Sequence, residues 1–207
     1  MSSHRHSEQP GTDLELDIVL LAARASILDI GLRRTTLAEV ARRAGVSRMT
    51  VYRQYGDLSA IVSALLTSEL LGLLHTAQQE VADLPTARER LVQAGVLVVE
   101  RLACHPLWCK VLDLDPELLL PLVVDRFGST QRAAVELVAA QVTQGQRDGS
   151  IRPGDPQLLA TCALLTAQSF VFSARVIAAE HKSEQTGAEL RRLVDGYLRP
   201  EQACPAP

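Results

Sequence analysis

Apolar residues recur at three- and four-residue intervals through most of this chain, the spacing of helices with one buried face. Leu16, Leu20, Ala23, Ile27 and Ile30 share a face of a helix over 13–30 that Gly31 ends. Leu37, Val40, Ala41 and Ala44 form the stripe of a short second helix, with Thr36 and Glu39 spaced as a capping box at its start. Gly45 stops that helix, because glycine takes the left-handed conformation without steric cost. Val46 fills the corner, Ser47 caps a third helix, and Val51 and Tyr55, four apart, face inward. Asp57 caps a long helix over about 58–82. Beyond Pro85 the pattern predicts a helix over 86–102 with Leu91, Ala94, Val98 and Leu102 inside, then the short segment HPLWCKVLDL. A helix over about 117–147, bent or started twice at Pro121, leads into the turn QRDGSIRPGDP, with Asp155 as a cap. Apolar helices over about 156–181 and 185–198 close the chain.

The sum is an all-α chain of about nine helices and no strand. Residues 13–58 make a three-helix, helix-turn-helix unit, 59–200 a helical body, and 1–12 and 201–207 are tails.

Composition sharpens this. A hydrophobic content of 47% with 3% aromatics in 207 residues points to Leu-, Val- and Ala-rich helical packing. Between Gly31 and Gly56 stand six arginines (33, 34, 42, 43, 48, 53) against one acid, Glu39, a balance of +5 in a protein of net charge −3. Positive charge is thus concentrated on the helix-turn-helix, where a phosphate backbone would need it. No eighteen apolar residues run uninterrupted, and the start MSSHRHSEQPGT is polar, so the expectation is a cytoplasmic protein without a membrane partner.

Cys104, Cys109, Cys162 and Cys204 do not suggest a disulfide scaffold in a chain this long. Cys104, His105 and Cys109 offer three potential ligands but no paired spacing, which favours cysteines packed in a core over a metal site. There is no glycine-rich phosphate loop and no H-E-x-x-H, so no cofactor and no catalytic site are expected. A helical enzyme using Cys104 and His105 is a poor alternative, because adjacent helical residues point about 100° apart and cannot readily share a proton.

In a helix-turn-helix the second helix lies in the major groove with its first residues toward base edges. That layout places Arg48 to read a guanine, Met49 to touch a thymine methyl, and Arg53 to read a base or hold a phosphate. Thr36, Thr50 and Tyr52 would clamp phosphates, with Ser47, Gln54 and Tyr55 completing the candidate DNA-binding set. Two of the three tyrosines lie in this helix, although plain core filling would favour Phe or Leu.

The stretch TTLAEVARRAGVSRMTVYRQYGDLSAIVSALL resembles the DNA-binding segment of the TetR family of transcriptional regulators. The likeness lies in the Thr pair, the A-x-x-A-G-V-S turn, the T-V-Y-R-Q-Y recognition helix and the capped helix directly after it. LacI-type repressors carry a similar TLAEVARRAGVS string, but there it opens the protein and an α/β domain follows; here a full amphipathic helix precedes it. Gln54 stands where TetR relatives often place a histidine. Leu58, preceded by Asp57, replaces a lysine that many of them pair with a phosphate, which implies slightly weaker, less salt-sensitive binding.

The helix LLATCALLTAQSFVFSARVIAAE is apolar on more than one face, so it needs partners on several sides. With the last helix and its stripe of Leu190, Leu193, Val194 and Tyr197, it predicts a homodimer about a twofold axis, suited to a palindromic operator. The resemblance implies the same dimer, repression relieved by a small-molecule effector, and a pocket in the body. Large or polar side chains in aliphatic helices are the candidates to line it: Trp108, Phe127, Gln168, Phe170 and Phe172. No charge interrupts an apolar face in a way that demands a charged effector, so a neutral or weakly polar compound is expected.

Overall fold

The structure is a computed structural model, and it describes residues 11–114 and 129–201. The chain winds through α1 (Gly11–Ile30), a 3-10 turn (Leu32–Arg34), α2 (Leu37–Ala44), α3 (Arg48–Tyr55), α4 (Leu58–Glu80), α5 (Ala87–Ala103) and α6 (Pro106–Leu114). It continues through α7 (Ser129–Arg147), α8 (Pro156–Glu180) and α9 (Ser183–Leu198). Among the described residues there are nine helices and no strand. Residues 1–10, the bend expected at Pro121, the candidate pocket residue Phe127 and Cys204 lie outside them.

Most helix ends are where the sequence signals them. Gly31 takes φ 84 after α1, and Gly45 takes φ 69, ψ 22 after α2. The hydroxyl of Ser47 accepts from the Thr50 amide at 3.0 Å, and Asp57 Oδ1 accepts from the Ala60 amide at 2.8 Å. Asp155 accepts from the Gln157 amide at 2.9 Å.

Three local expectations need correcting. The capping box of α2 is half made: Thr36 accepts from the Glu39 amide, but the Glu39 carboxylate turns to Arg42 and Arg43, where charge-assisted bonds are stronger than one to an amide. A complete box forms instead at Thr86 and Glu89 of α5. On α1 the buried face is Val19, Ala22, Ala23, Ser26 and Ile27, leaving Leu20 and Ile30 half-buried on its flank. On α9, Leu190 and Leu198 are buried and Val194 and Tyr197 half-buried against the chain's own body, so only Leu193 of the expected stripe stays outside.

Three clusters make the core. The first joins α1, α2 and α3 to the start of α4, through Ile61, Val62, Leu65 and Leu66, and to α6, through Leu107 and Val111. The second gathers the far part of α4 with α5 and single residues of α7, α8 and α9, and the third packs α7, α8 and α9 against Val92 of α5. Helix α4 therefore contributes to both ends of the molecule.

By length and composition alone, α4 and α8 reach the range of membrane-crossing helices, with mean hydropathies of 1.6 and 1.5. Counting uninterrupted apolar runs misses them because single polar residues such as Ser63 and Thr166 break the runs. Only 11% of the α8 window is buried within the chain, so its apolar composition exceeds what its own body covers.

Candidate nucleic-acid interface and cavity

Helix α3 is held by one fully buried side chain, Val51, in the cluster that also holds Val40, Ala41 and Ile61, with Val46, Tyr55 and Leu58 packed on its edge. With Val51 inside, helical geometry turns the other face of α3 to solvent. Met49 is 64% exposed and Tyr52 57%, and Arg48 and Arg53 are exposed with no ion pair among the described residues. Thr50 is half-buried and shares a 2.8 Å hydrogen bond with the Ser47 hydroxyl. Thr36, exposed at the start of α2, keeps a hydroxyl proton to donate while its oxygen caps that helix. Its neighbour Thr35 is buried and donates to the Gly31 carbonyl at 2.9 Å, so the two threonines divide between surface and core.

Two members of the expected set stand apart. Both amide atoms of Gln54 are buried without a hydrogen bond, and Tyr55 packs half-buried against the core. The structure thus leaves Ser47, Arg48, Met49, Tyr52 and Arg53 exposed and Thr50 half-buried at and along α3, leaves Thr36 exposed at the start of α2, and turns the polar end of Gln54 inward.

The arginines are not equivalent. Arg42 donates to Glu39 at 2.9 and 2.7 Å, and Arg43 bridges Glu39 at 2.7 Å and Asp29 at 2.5 Å, tying α2 to α1. Arg34 donates to the Ile30 carbonyl at 2.7 Å. Hydrogen bonds from Arg42 and then Arg43 hold the Glu39 carboxyl at about 2, below its ordinary value of 4.5. The basic stretch therefore contains an internally braced part on α2 and a free part on α3.

In the body, α4 to α9 line a cavity of about 380 Å³ that is partly open to solvent, within the size range of small-molecule sites. Its wall is mainly aliphatic. Trp108, Gln168 and Phe172 line it, whereas Phe170 packs against the second core cluster and is not part of the wall.

Sequence reasoning missed Gln78, Arg90, Gln131 and Gln141, which also line the cavity. Gln131 donates to Gln168 Oε1 at 2.9 Å across the space between α7 and α8. The signal was present: Arg90 precedes Ala94 and Val98 at four-residue spacing, and Gln131 and Gln141 flank Ala134 and Val138 on one face. Arg90 corrects the expectation that no charge meets an apolar face.

Cys104 is exposed, Cys109 donates to the Ala103 carbonyl at 3.3 Å, and His105 Nε2 lies 3.2 Å from Glu69. Among the described residues no group of three His, Cys, Asp or Glu is placed to hold a metal.

Residues 19–65 match the family described as bacterial regulatory proteins, tetR family. A helix-turn-helix-type transcriptional regulator of Mycobacterium tuberculosis (strain ATCC 25618 / H37Rv) is 39% identical over 180 residues, covering 87% of this chain and 92% of that protein. The fold is similar to that of the R. erythropolis transcriptional repressor QsdR, with a TM-score of 0.70 at 18% identity, covering 92% of this chain and 99% of that one. It is also similar to the regulator FadR from Bacillus subtilis in complex with stearoyl-CoA, with a TM-score of 0.62 at 17% identity, covering 88% and 99%. The matched segment spans α2, α3 and the corner between them, the 39% identical relative extends over nearly the whole chain, and together they show that this protein belongs to the TetR family of helix-turn-helix transcriptional regulators.

Proposed function

We propose that the protein is a repressor that binds a palindromic operator as a homodimer and is released by a small-molecule effector. The observation that carries it is the outward face of α3: Arg48 and Arg53, without an ion pair among the described residues, stand beside exposed Met49 and Tyr52 on a helix fixed by a fully buried Val51. In this reading Arg48 and Met49 contact base edges, Arg53 a base or phosphate, and Thr36, Ser47, Thr50 and Tyr52 the backbone. Residues 13–58 contact DNA, and 59–200 carry the effector site and the dimer interface.

Exposed Leu158, Leu165, Phe172 and Val176 on α8, with Leu193 on α9, supply an apolar surface for a second copy. The cavity supplies a place for an effector, and the stearoyl-CoA held by the similar FadR supports a body of this fold taking small molecules.

The test is to incubate the purified protein with sheared genomic DNA and sequence the retained fragments. Enrichment of a palindrome with half-sites about one helical turn apart, and retention that falls steeply with salt, is expected. Retention without a shared sequence, or indifferent to salt, would overturn the reading. A reporter driven from an enriched fragment separates the two signs of control: raised transcription in the presence of the protein would exclude repression.

A further inference from the structure

Among the described residues the cavity wall is rich in donors and holds no carboxylate. Its polar members there are Ser63, Trp108, Arg90 and four glutamines, with neither Asp nor Glu among them. Arg90 donates to the carbonyls of Leu84 and Pro85 at 2.7 and 3.4 Å rather than to an acid. Asp148, whose charge it feels, spends its oxygens on the amides of Ala87 and Ser150. The indole Nε1 of Trp108 is buried, and no described residue accepts from it. Buried donors are nearly always paired, so this one asks for an explanation.

Trp108 also occupies a singular position. It packs against both the cluster around α3 and the cluster of the body, while forming part of the cavity wall. Its helix is bound to the DNA-binding end on three counts. Leu107 and Val111 are buried in the cluster that also holds Ile27 and Val51, and the Lys110 ammonium donates to the Leu28 carbonyl of α1. His105 Nε2 lies 3.2 Å from Glu69, which accepts from Arg24 of α1 at 2.7 Å. A shift of α6 therefore carries α1 with it.

Resting on the effector reading above, we infer that the cavity takes an apolar molecule bearing an oxygen acceptor, a carbonyl or carboxylate, and that Trp108 is the positioning residue through which it acts on α3. The ligand oxygen accepts the indole N–H for which no described side chain or carbonyl is an acceptor, the ring shifts to meet it, and α6 moves with the ring. The ligand then binds one arrangement of α6 better than the other, which is what an effector must do to shift the equilibrium.

Trp108 is the sole tryptophan, so its emission reports the event directly. The full-length protein is titrated with decanoate, 2-decanone and decylammonium, following fluorescence for the native chain and calorimetry for the variants. Decanoate and 2-decanone are expected to bind and change the emission, with decylammonium at least about tenfold weaker. Trp108→Phe, which keeps a ring but lacks the donor, weakens both by about five- to hundredfold. Arg90→Gln penalises decanoate more than the ketone. Lys110→Met leaves ligand affinity in place and blunts ligand-driven release from a retained genomic fragment.

Decylammonium binding as well as the others, or a Trp108→Phe protein that binds and releases like the native one, overturns the inference and leaves an effector-responsive regulator standing. Failure of all three probes to bind also overturns it. DNA retention that no cell extract alters overturns the underlying reading instead.

Discussion

Leu165 stands at the centre of a heptad stripe on α8, with Leu158 seven residues before it and Phe172 seven after. These three are 59%, 45% and 37% exposed in N-to-C order, and Val176 beyond them is 72% exposed. If the stripe meets its copy across a twofold axis, Leu165→Glu should break the dimer. Full burial of a leucine contributes about 1.5–3 kcal/mol. The 45% of Leu165 still outside is thus worth about 1 kcal/mol per protomer, and about 2 kcal/mol for the symmetric pair. That loss alone raises the dimer dissociation constant about 30-fold. Two carboxylates brought together out of water add a further penalty.

The folded chain should tolerate the change, because a half-exposed position off the core perturbs stability by only about 0.5 kcal/mol. Sedimentation velocity over a concentration series reads the association, far-UV circular dichroism checks the helices, and anisotropy on a labelled operator fragment reads the consequence for DNA. A variant that dimerises as tightly as the native chain would refute the assignment of this face. One that becomes monomeric yet binds the full palindrome undiminished would refute the claim that paired recognition helices are needed.

Three further expectations follow from single sites. Arg48→Ala should cost about 1–3 kcal/mol on the cognate operator and blur selectivity at one base position; a uniform loss across sequences, read by competition binding, would move Arg48 to the backbone. Glu39 has a folded-state value of about 2 against an ordinary 4.5, so its stabilising contribution is complete above about 4.5 and disappears as pH falls toward 2. Urea denaturation should therefore show the native chain converging on Glu39→Gln over that window, and a constant gap between them would contradict the bracing by Arg42 and Arg43. At Gly145 a Cβ would lie 2.4 Å from Ile151 Cδ1 and 2.5 Å from its Cγ1, where the chain folds back after α7. Gly145→Ala should destabilise by about 1–3 kcal/mol in thermal unfolding, and an unchanged midpoint would mean that this approach is not tight.

What could be read before folding was largely local. Ser47, Asp57 and Asp155 cap helices because a short acceptor side chain at the first turn satisfies an amide whichever way the helix later packs. Gly45 ends α2 for an equally local reason. Glu39 shows where local logic stops. Its position suits a capping box, but two guanidiniums one turn away compete for the same carboxylate and win. The outward set on α3 was legible because burying Val51 determines the facing of a short helix, while the turn of the Gln54 amide into the core depends on neighbours that no spacing rule names.

The sequence by itself determined the helical class, the helix ends, the concentration of arginines around α2 and α3, and the excess of apolar surface on α8, since each follows from residue type and a fixed period along one strand of chain. Only the tertiary structure decided that Arg90 and four glutamines share a cavity wall with Trp108, that Phe170 does not, and that α6 is pinned to α1 by Lys110 and the His105–Glu69–Arg24 chain. These are meetings of residues far apart along the chain, 82 positions in the case of Lys110 and Leu28. Which helices face one another is set by mutual packing of whole surfaces, a property of the assembled core that no single stretch contains.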